Sequence, residues 1–429
     1  MKKFSKVLAL VLALSLVVVA FAACGGNGDN GEQTTEPTQE ETKLLALNPI
    51  AKAEPVVIDD SIDFSKVKVG LICLHDENST YDNNFIQAMK AAQEELGLAD
   101  DQVLIKTNID ESNACYEAAC ELADKGCNII FADSFGHESY IMQAAQEYPE
   151  VQFCHATGTH GATAGIANFH TAFASIYEGR FLAGVAAGMK LNEMIEAGKI
   201  TAEQAVMGYV GAFPYAEVKS GYTSFYLGAK YICPSVTMKV VYTNSWFDIA
   251  LEKEAAEKLI KDGCVLISQH ADSEGAPKAC EAAGVPNVAY NIDTSSIAPT
   301  TAIISSRINW TPYYKLAIAA TVKGEAFAND WCGTIATDSV LLTELHNAAD
   351  GTAEKIDEVK ALLVAGELNV FDTSFWTKDG AALTEYAADV IDEGDFKGET
   401  NPIENGAFLE SVGRSAPYFD ILIDGITEA

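Results

Sequence analysis

The chain has 429 residues, 48% of them apolar, and a formal charge of −33 at neutral pH. That length exceeds one ordinary α/β domain and suits two lobes with appendages. So acidic a balance excludes nucleic acid, whose partners present basic faces, and offers anionic lipid no electrostatic attraction.

In chain order, the first segment reads as an export signal rather than structure. Lys2, Lys3 and Lys6 precede a nearly unbroken apolar run from Val7 to Ala20, and Phe21-Ala22-Ala23 sets small residues directly before Cys24. A basic start, an apolar stretch and a small-small-Cys ending form the pattern of a bacterial lipoprotein, so residues 1–23 are expected to be removed and Cys24 to carry the lipid. Residues 24–62 are largely polar and acidic with little to bury, and read as a disordered tether. No later run reaches the roughly 18 apolar residues that a membrane span needs. The expectation is a chain anchored on the extracytoplasmic face of the cell membrane, not one that crosses it.

From Val67 the pattern alternates. Short apolar runs at 67–74, 102–107, 128–132, 151–156 and 166–169 predict strands. Between the first four lie helical patterns, one of them carrying Phe85, Met89, Ala92 and Leu96 at helical spacing and closed by Gly97. A helix rich in small residues follows at 177–189, and the alternation then restarts with strands at 206–212, 238–243, 264–269, 287–290 and 301–306. Helices are predicted between them and at 312–323, and one more at 353–365; the rest of the last hundred residues carries no clear pattern. Two successive β/α alternations predict two doubly wound parallel sheets, a clamshell whose ligand sits where the carboxyl ends of the strands face one another.

The strand-end loops are rich in aromatic rings beside carboxylates and amides. "HDENSTYDNNF" holds Asp76, Tyr81, Asp82 and Phe85; "ADSFG" holds Ser134 and Phe135; "TNSWFD" holds Trp246 and Asp248. "QHADS" adds His270 and Asp272, "YNIDT" adds Asn291 and Asp293, and "RINW" adds Asn309 and Trp310. Ring faces suit flat ligands, and carboxylates accept from hydroxyls or ring N–H groups, which together describe a nucleoside; hydroxyls alone describe a sugar. The neighbours Trp246 and Phe247 would point opposite ways on an extended strand, putting Phe247 in the core and Trp246 on the cleft. Asp248 precedes a helix and reads equally as its N-cap or as a ligand contact.

Reaction chemistry is absent from the pattern. His155, His160 and His170 have no carboxylate at ligand spacing, and "GTHGATAG" lacks the Gly-Lys-Ser/Thr of a phosphate loop. No metal, no cofactor and no enzymatic activity are expected. Apart from Cys24, nine cysteines remain, mostly in apolar contexts and without any CxxC spacing, and read as small buried hydrophobes.

The segments "ADSFG", "YPEVQFCHATG", "EGRFLAGVAAGM", "GYVGAFP", "YTNSWFD", "KEAAEKLIKDG" and "NWTPYYKLAIAATVKG" carry a resemblance. In that order and spacing, residues 67–333 resemble the basic membrane protein (BMP) family of substrate-binding lipoproteins, which includes purine nucleoside receptors. The resemblance implies a type I periplasmic-binding-protein-like fold of two Rossmann-like lobes joined by three crossovers. It implies an N-terminal lobe from residues 63–172 and 297–335 and a C-terminal lobe from 173–296 and 336–429. It further implies a monomeric receptor that feeds an ABC permease and does no chemistry itself. By the same resemblance a purine would be sandwiched between Phe85 or Tyr81 and Trp246, with Asp82 on the base and Asp293 on the ribose hydroxyls. Loop one departs from the nucleoside-binding form: Asp82-Asn83-Asn84-Phe85-Ile86 stands where that branch reads Asp-x-Ser-Phe-Asn. The implied ligand is therefore a purine nucleoside or a free purine base, with a simple sugar as the alternative.

Overall fold

The apolar runs pair edge to edge into two sheets in the computed structural model, which describes residues 43–394 and 396–429. Cys24, the export signal and residues 24–42 of the tether lie outside the described residues. Among the described residues, the first sheet has six parallel strands. From edge to edge they are Asp330–Gly333, Phe169–Ala174, Gln152–Ala156, Ile129–Ala132, Val69–Ile72 and Val103–Lys106. The second sheet has seven, in the order Val340–Leu342, Ala302–Ile308, Asn287–Tyr290, Leu266–His270, Val206–Gly211, Thr237–Tyr242 and Ile426–Glu428. Only Val340–Leu342 runs antiparallel to its neighbour in that sheet. The central strands are buried along their whole length, as parallel strands covered on both faces must be.

Helices α1 (Thr80–Leu96), α2 (Asn113–Asp124) and α3 (Glu138–Glu147) wind the first sheet. Helices α4 (Ile176–Glu196), α5 (Ala216–Ile232), α6 (Ile249–Lys261) and α7 (Gly275–Ala283) wind the second. The small residues of α4 let it lie against α5 nearly backbone to backbone. A Cβ on Gly184 would sit 2.1 Å from the Phe225 carbonyl oxygen, and one on Gly228 would sit 2.0 Å from that of Phe181.

Between Val69 and Leu342 the chain crosses between lobes three times, after Ala174, after Ile308 and after Gly333. The second crossing corrects the expected boundary. Residues 297–308 do not belong with the N-terminal lobe, because Ala302–Ile308 pairs in parallel with Asn287–Tyr290 in the second sheet. Only α8 (Thr311–Lys323), packed on α1, and strand Asp330–Gly333 return to the first lobe. An apolar run predicts a strand but carries no signal of which edge it will join.

The segment read as tether through residue 62 is laid on the folded body from Leu45. Leu45–Ala46 pairs with Thr400–Asn401, Ile50 N–H donates to the Val412 carbonyl at 2.8 Å, and Leu47 and Ala53 are buried. Isolated apolar residues docking onto a distant part of the chain leave no periodicity to read. The residues after α9 (Thr352–Ala365) form no long element. They cross both lobes and end in the edge strand Ile426–Glu428, beside Thr237–Tyr242. The cysteines described are all unpaired, and every one but the half-buried Cys120 is buried.

Candidate functional site

The carboxyl ends of the two sheets face a small pocket of about 370 Å³, counting the open space at its mouth. From the first lobe it is lined by Leu74, His75, Tyr81, Asp82, Ser134, Phe135 and Thr157, and from the second by Glu217, Trp246, His270 and Asp272. One side of the cleft is shut. Thr80 N–H at the start of α1 donates to the Asp272 carbonyl at 2.8 Å, and the His75 and Phe247 rings meet at 5.3 Å.

Local folding places each group. Ser79 caps α1, and its hydroxyl donates to Asp82 Oδ2 at 2.6 Å while His75 N–H donates to Asp82 Oδ1 at 2.7 Å. Burial works to raise the Asp82 carboxyl, but the bonds from His75 and Ser79 outweigh it and hold it below the ordinary carboxylate range. Asp272 is the opposite case. Burial pushes its carboxyl well above the ordinary value, Glu252, Asp82 and Glu217 add to the rise, and Arg180 opposes it. The pocket thus presents two carboxyl groups shifted in opposite directions, one held toward its ionised, accepting form and the other pushed toward its protonated form, which can also donate.

Tyr81 turns its hydroxyl to the Asp133 carbonyl at 2.8 Å, leaving its ring on the pocket. Trp246 stands edge-on to Phe213 at 5.1 Å, half-buried between core and pocket. Ser134 donates to Glu111 Oε1 at 2.6 Å, and Phe135 meets Tyr215 of the second lobe at 5.7 Å. Beneath the floor, buried Arg180 donates to the Gln269 carbonyl at 2.9 Å and lies 3.5 Å from the Tyr290 ring centre.

Several expected contacts lie elsewhere. Phe85 is buried and stacked on Trp310 at 4.5 Å, so of the two first-lobe rings Tyr81 is the one on the pocket. Asp76 closes its own loop, accepting from Asn78 N–H at 3.0 Å. Asp248 is the N-cap of α6, its Oδ1 accepting from Ala250 and Leu251 N–H at 2.9 Å each. Asp293 faces His346, whose Nε2 lies 2.9 Å from Oδ2, and does not line the pocket. Asn309 is tied to the Asp338 carbonyl at the crossover, also off the pocket. Phe247 is not the core half of its pair; it reaches across the cleft while Trp246 touches the core. The strand stops at Tyr242 and Asn244 takes φ 55°, so strand alternation does not extend to residues 246–247.

The lining residues that the sequence analysis does not name are Leu74, His75, Thr157 and Glu217. All but Glu217 fall in strand-end loops, and Glu217 lies one residue beyond such a loop. Arg180, too, went unpicked, although a lone cation in the apolar run after Ile176 was the available signal. The three histidines first weighed as a cluster are dispersed. His155 bonds the Ser134 carbonyl, His160 bonds Glu138, and His170 bonds the Ala328 carbonyl and Gln152. Among the described residues one set of ligating side chains converges, with atoms of Cys73, Asp82 and Asp133 within 4.8 Å of one another. Burial pushes the Asp133 carboxyl and the Cys73 thiol well above their ordinary values, with the Asp82 charge adding to the Asp133 shift.

Residues 69–374 match the family model Bmp, described as ABC transporter substrate-binding protein PnrA-like. The chain belongs to this family. Bmp proteins are extracytoplasmic, bind small molecules and work with an ABC permease. A purine-binding protein of Brucella abortus is 31% identical over 323 residues, 74% of this chain and 86% of its own. A Haloferax volcanii protein named as an ABC transporter glucose-binding protein is 29% identical over 286 residues, 66% of this chain and 68% of its own. An ABC transporter solute-binding protein of Conexibacter woesei shares the fold with TM-score 0.59 at 20% identity, covering 71% of this chain and 98% of that one. The fold is that of the type I periplasmic-binding proteins, and no helix described is long and apolar enough to cross a membrane.

Proposed function

We propose that this Bmp protein is a lipid-anchored monomeric receptor that closes over a purine nucleoside or purine base and delivers it to its permease without altering it. The observation that carries the reading is the pairing of aromatic rings from both lobes, Tyr81 and Trp246, around the unlike carboxyls of Asp82 and Asp272. A flat base would stack on such rings. Asp82 would accept from a ring N–H, and Asp272, pushed toward its protonated form, would donate to a ring nitrogen. The purine-binding relative from Brucella supports the same class.

Calorimetric titration with adenosine, guanosine, inosine, adenine, ribose and glucose tests the ligand. Micromolar or tighter binding of at least one purine is expected, and binding of none removes the claim. Trp246→Ala should weaken a stacked base by about 1–3 kcal/mol, roughly 5- to 150-fold. Retained affinity for glucose with little response at Trp246 would favour the sugar reading, which rests on the Haloferax relative. Incubation with inosine should release no hypoxanthine. For the anchor, Cys24→Ala should move the protein from the membrane to the soluble fraction.

A further inference from the structure

Next to the pocket lies a larger, solvent-open chamber, about 1150 Å³ counting the open space at its mouth, and the two share Phe135, Thr157 and Glu217 as common walls. The chamber's outer wall is Asp389, Asp392, Phe396 and the run from Arg414 to Asp420, all beyond residue 374, where the family match ends. This wall is anchored to both lobes. Thr159 donates to Asp392 Oδ2 at 2.8 Å and Ser415 N–H to Asp330 Oδ2 at 3.0 Å in the first lobe. In the second, Ile426–Glu428 completes the sheet.

The lining is mixed in a way that selects a chemistry. Carboxylates of Glu217, Asp392 and Asp420 accept hydrogen bonds only. Arg414, with nine-tenths of its surface buried, lines the same chamber; it donates from Nε to the Ala416 carbonyl and from Nη2 to the Pro417 carbonyl, and its Nη1 has no partner. Glu217, Asp389, Asp392 and Asp420 would repel an anionic occupant, and a cation, having no acceptor to offer, would leave Arg414 Nη1 unmet. Hydroxyl groups satisfy both, since each donates and accepts. The exposed ring of Tyr215 on the same wall offers a face to the C–H side of a sugar.

We infer that the ligand has two parts: a flat ring held in the pocket and a neutral, hydroxyl-rich arm, the size of a further sugar, that fills the outer chamber. This deepens the proposed function and rests on it. The test compares adenosine, adenosine bearing glucose on its 5′-oxygen, and adenosine 5′-monophosphate by calorimetry on the full mature chain. The glycosylated compound should bind at least 5-fold tighter than adenosine. Ala416→Trp, which fills the chamber, and Asp420→Asn should each abolish that gain while leaving adenosine within about 2-fold, which also shows that the variants are folded. Equal or weaker binding of the glycosylated compound overturns the arm while leaving the purine reading intact. Tightest binding of the monophosphate overturns its neutral character. Binding of none of the three overturns the purine reading and this inference with it.

Discussion

At the scale of single residues, the same chemical type serves different ends according to its partners. Asp82 and Asp272 face the pocket, whereas Asp248 spends its carboxylate on the first amides of α6. Asp248→Ala should therefore cost about 0.5–2 kcal/mol of stability in denaturant melts and leave ligand affinity unchanged. A drop in affinity at constant stability would show a ligand role instead. His160 joins the C-terminal wall to the first lobe: its Nδ1 lies 2.9 Å from Glu138 Oε2 and its Nε2 4.0 Å from Asp392. The Glu138 hydrogen bond raises its pKa, partial burial lowers it, Asp392 adds to the rise, and Arg414 opposes it. A group whose folded pKa is raised contributes stability that is full below its unfolded value, about 6.5, and fades as pH rises through the folded value. Thermal melts across pH 5.5 to 8.5 should show the advantage of wild type over His160→Gln shrinking as pH increases. An advantage that grows with pH would reverse the assignment.

At the scale of elements, the family segment "EGRFLAGVAAGM" is explained by packing and charge together. Its glycines bring α4 against α5, and its arginine becomes the buried cation beneath the pocket floor. Gly184→Ala pushes a methyl group into a helix backbone that cannot yield, so it should destabilise by about 1–3 kcal/mol. The loss should appear as a lowered midpoint with an unchanged denaturant slope. Most helix and strand centres were legible in the sequence because buried parallel strands are short apolar runs and the helices between them carry one apolar face. The turns were not. Asn244 at φ 55° ends the strand alternation, so Phe247 reaches His75 instead of the core. Likewise, Leu45–Ala46 and Thr400–Asn401 pair without any run long enough to announce them.

At the scale of the whole molecule, closure joins the lobes at contacts outside the ligand's reach. Phe247→Ala removes the ring that meets His75 and should weaken ligand binding although Phe247 does not line the pocket. Small-angle scattering at saturating ligand should then show a larger radius of gyration for the variant than for wild type. Identical radii and affinities would mean that this contact does not hold the closed form. By itself the sequence settled the two doubly wound lobes, because β/α alternation and burial periodicity are local properties of the chain. It also brought Tyr81, Asp82, Ser134, Phe135, Trp246 and Asp272 forward, because strand ends must converge on the cleft of such a fold. Only the tertiary structure decided that Ala302–Ile308 joins the second sheet, that Asp293 turns to His346, and that Phe85 stacks on Trp310. It alone brought residues 389–420 beside Glu217 to wall the outer chamber. Such contacts depend on partners far apart in the chain, and a side chain's neighbours at that separation leave no mark in its own local pattern.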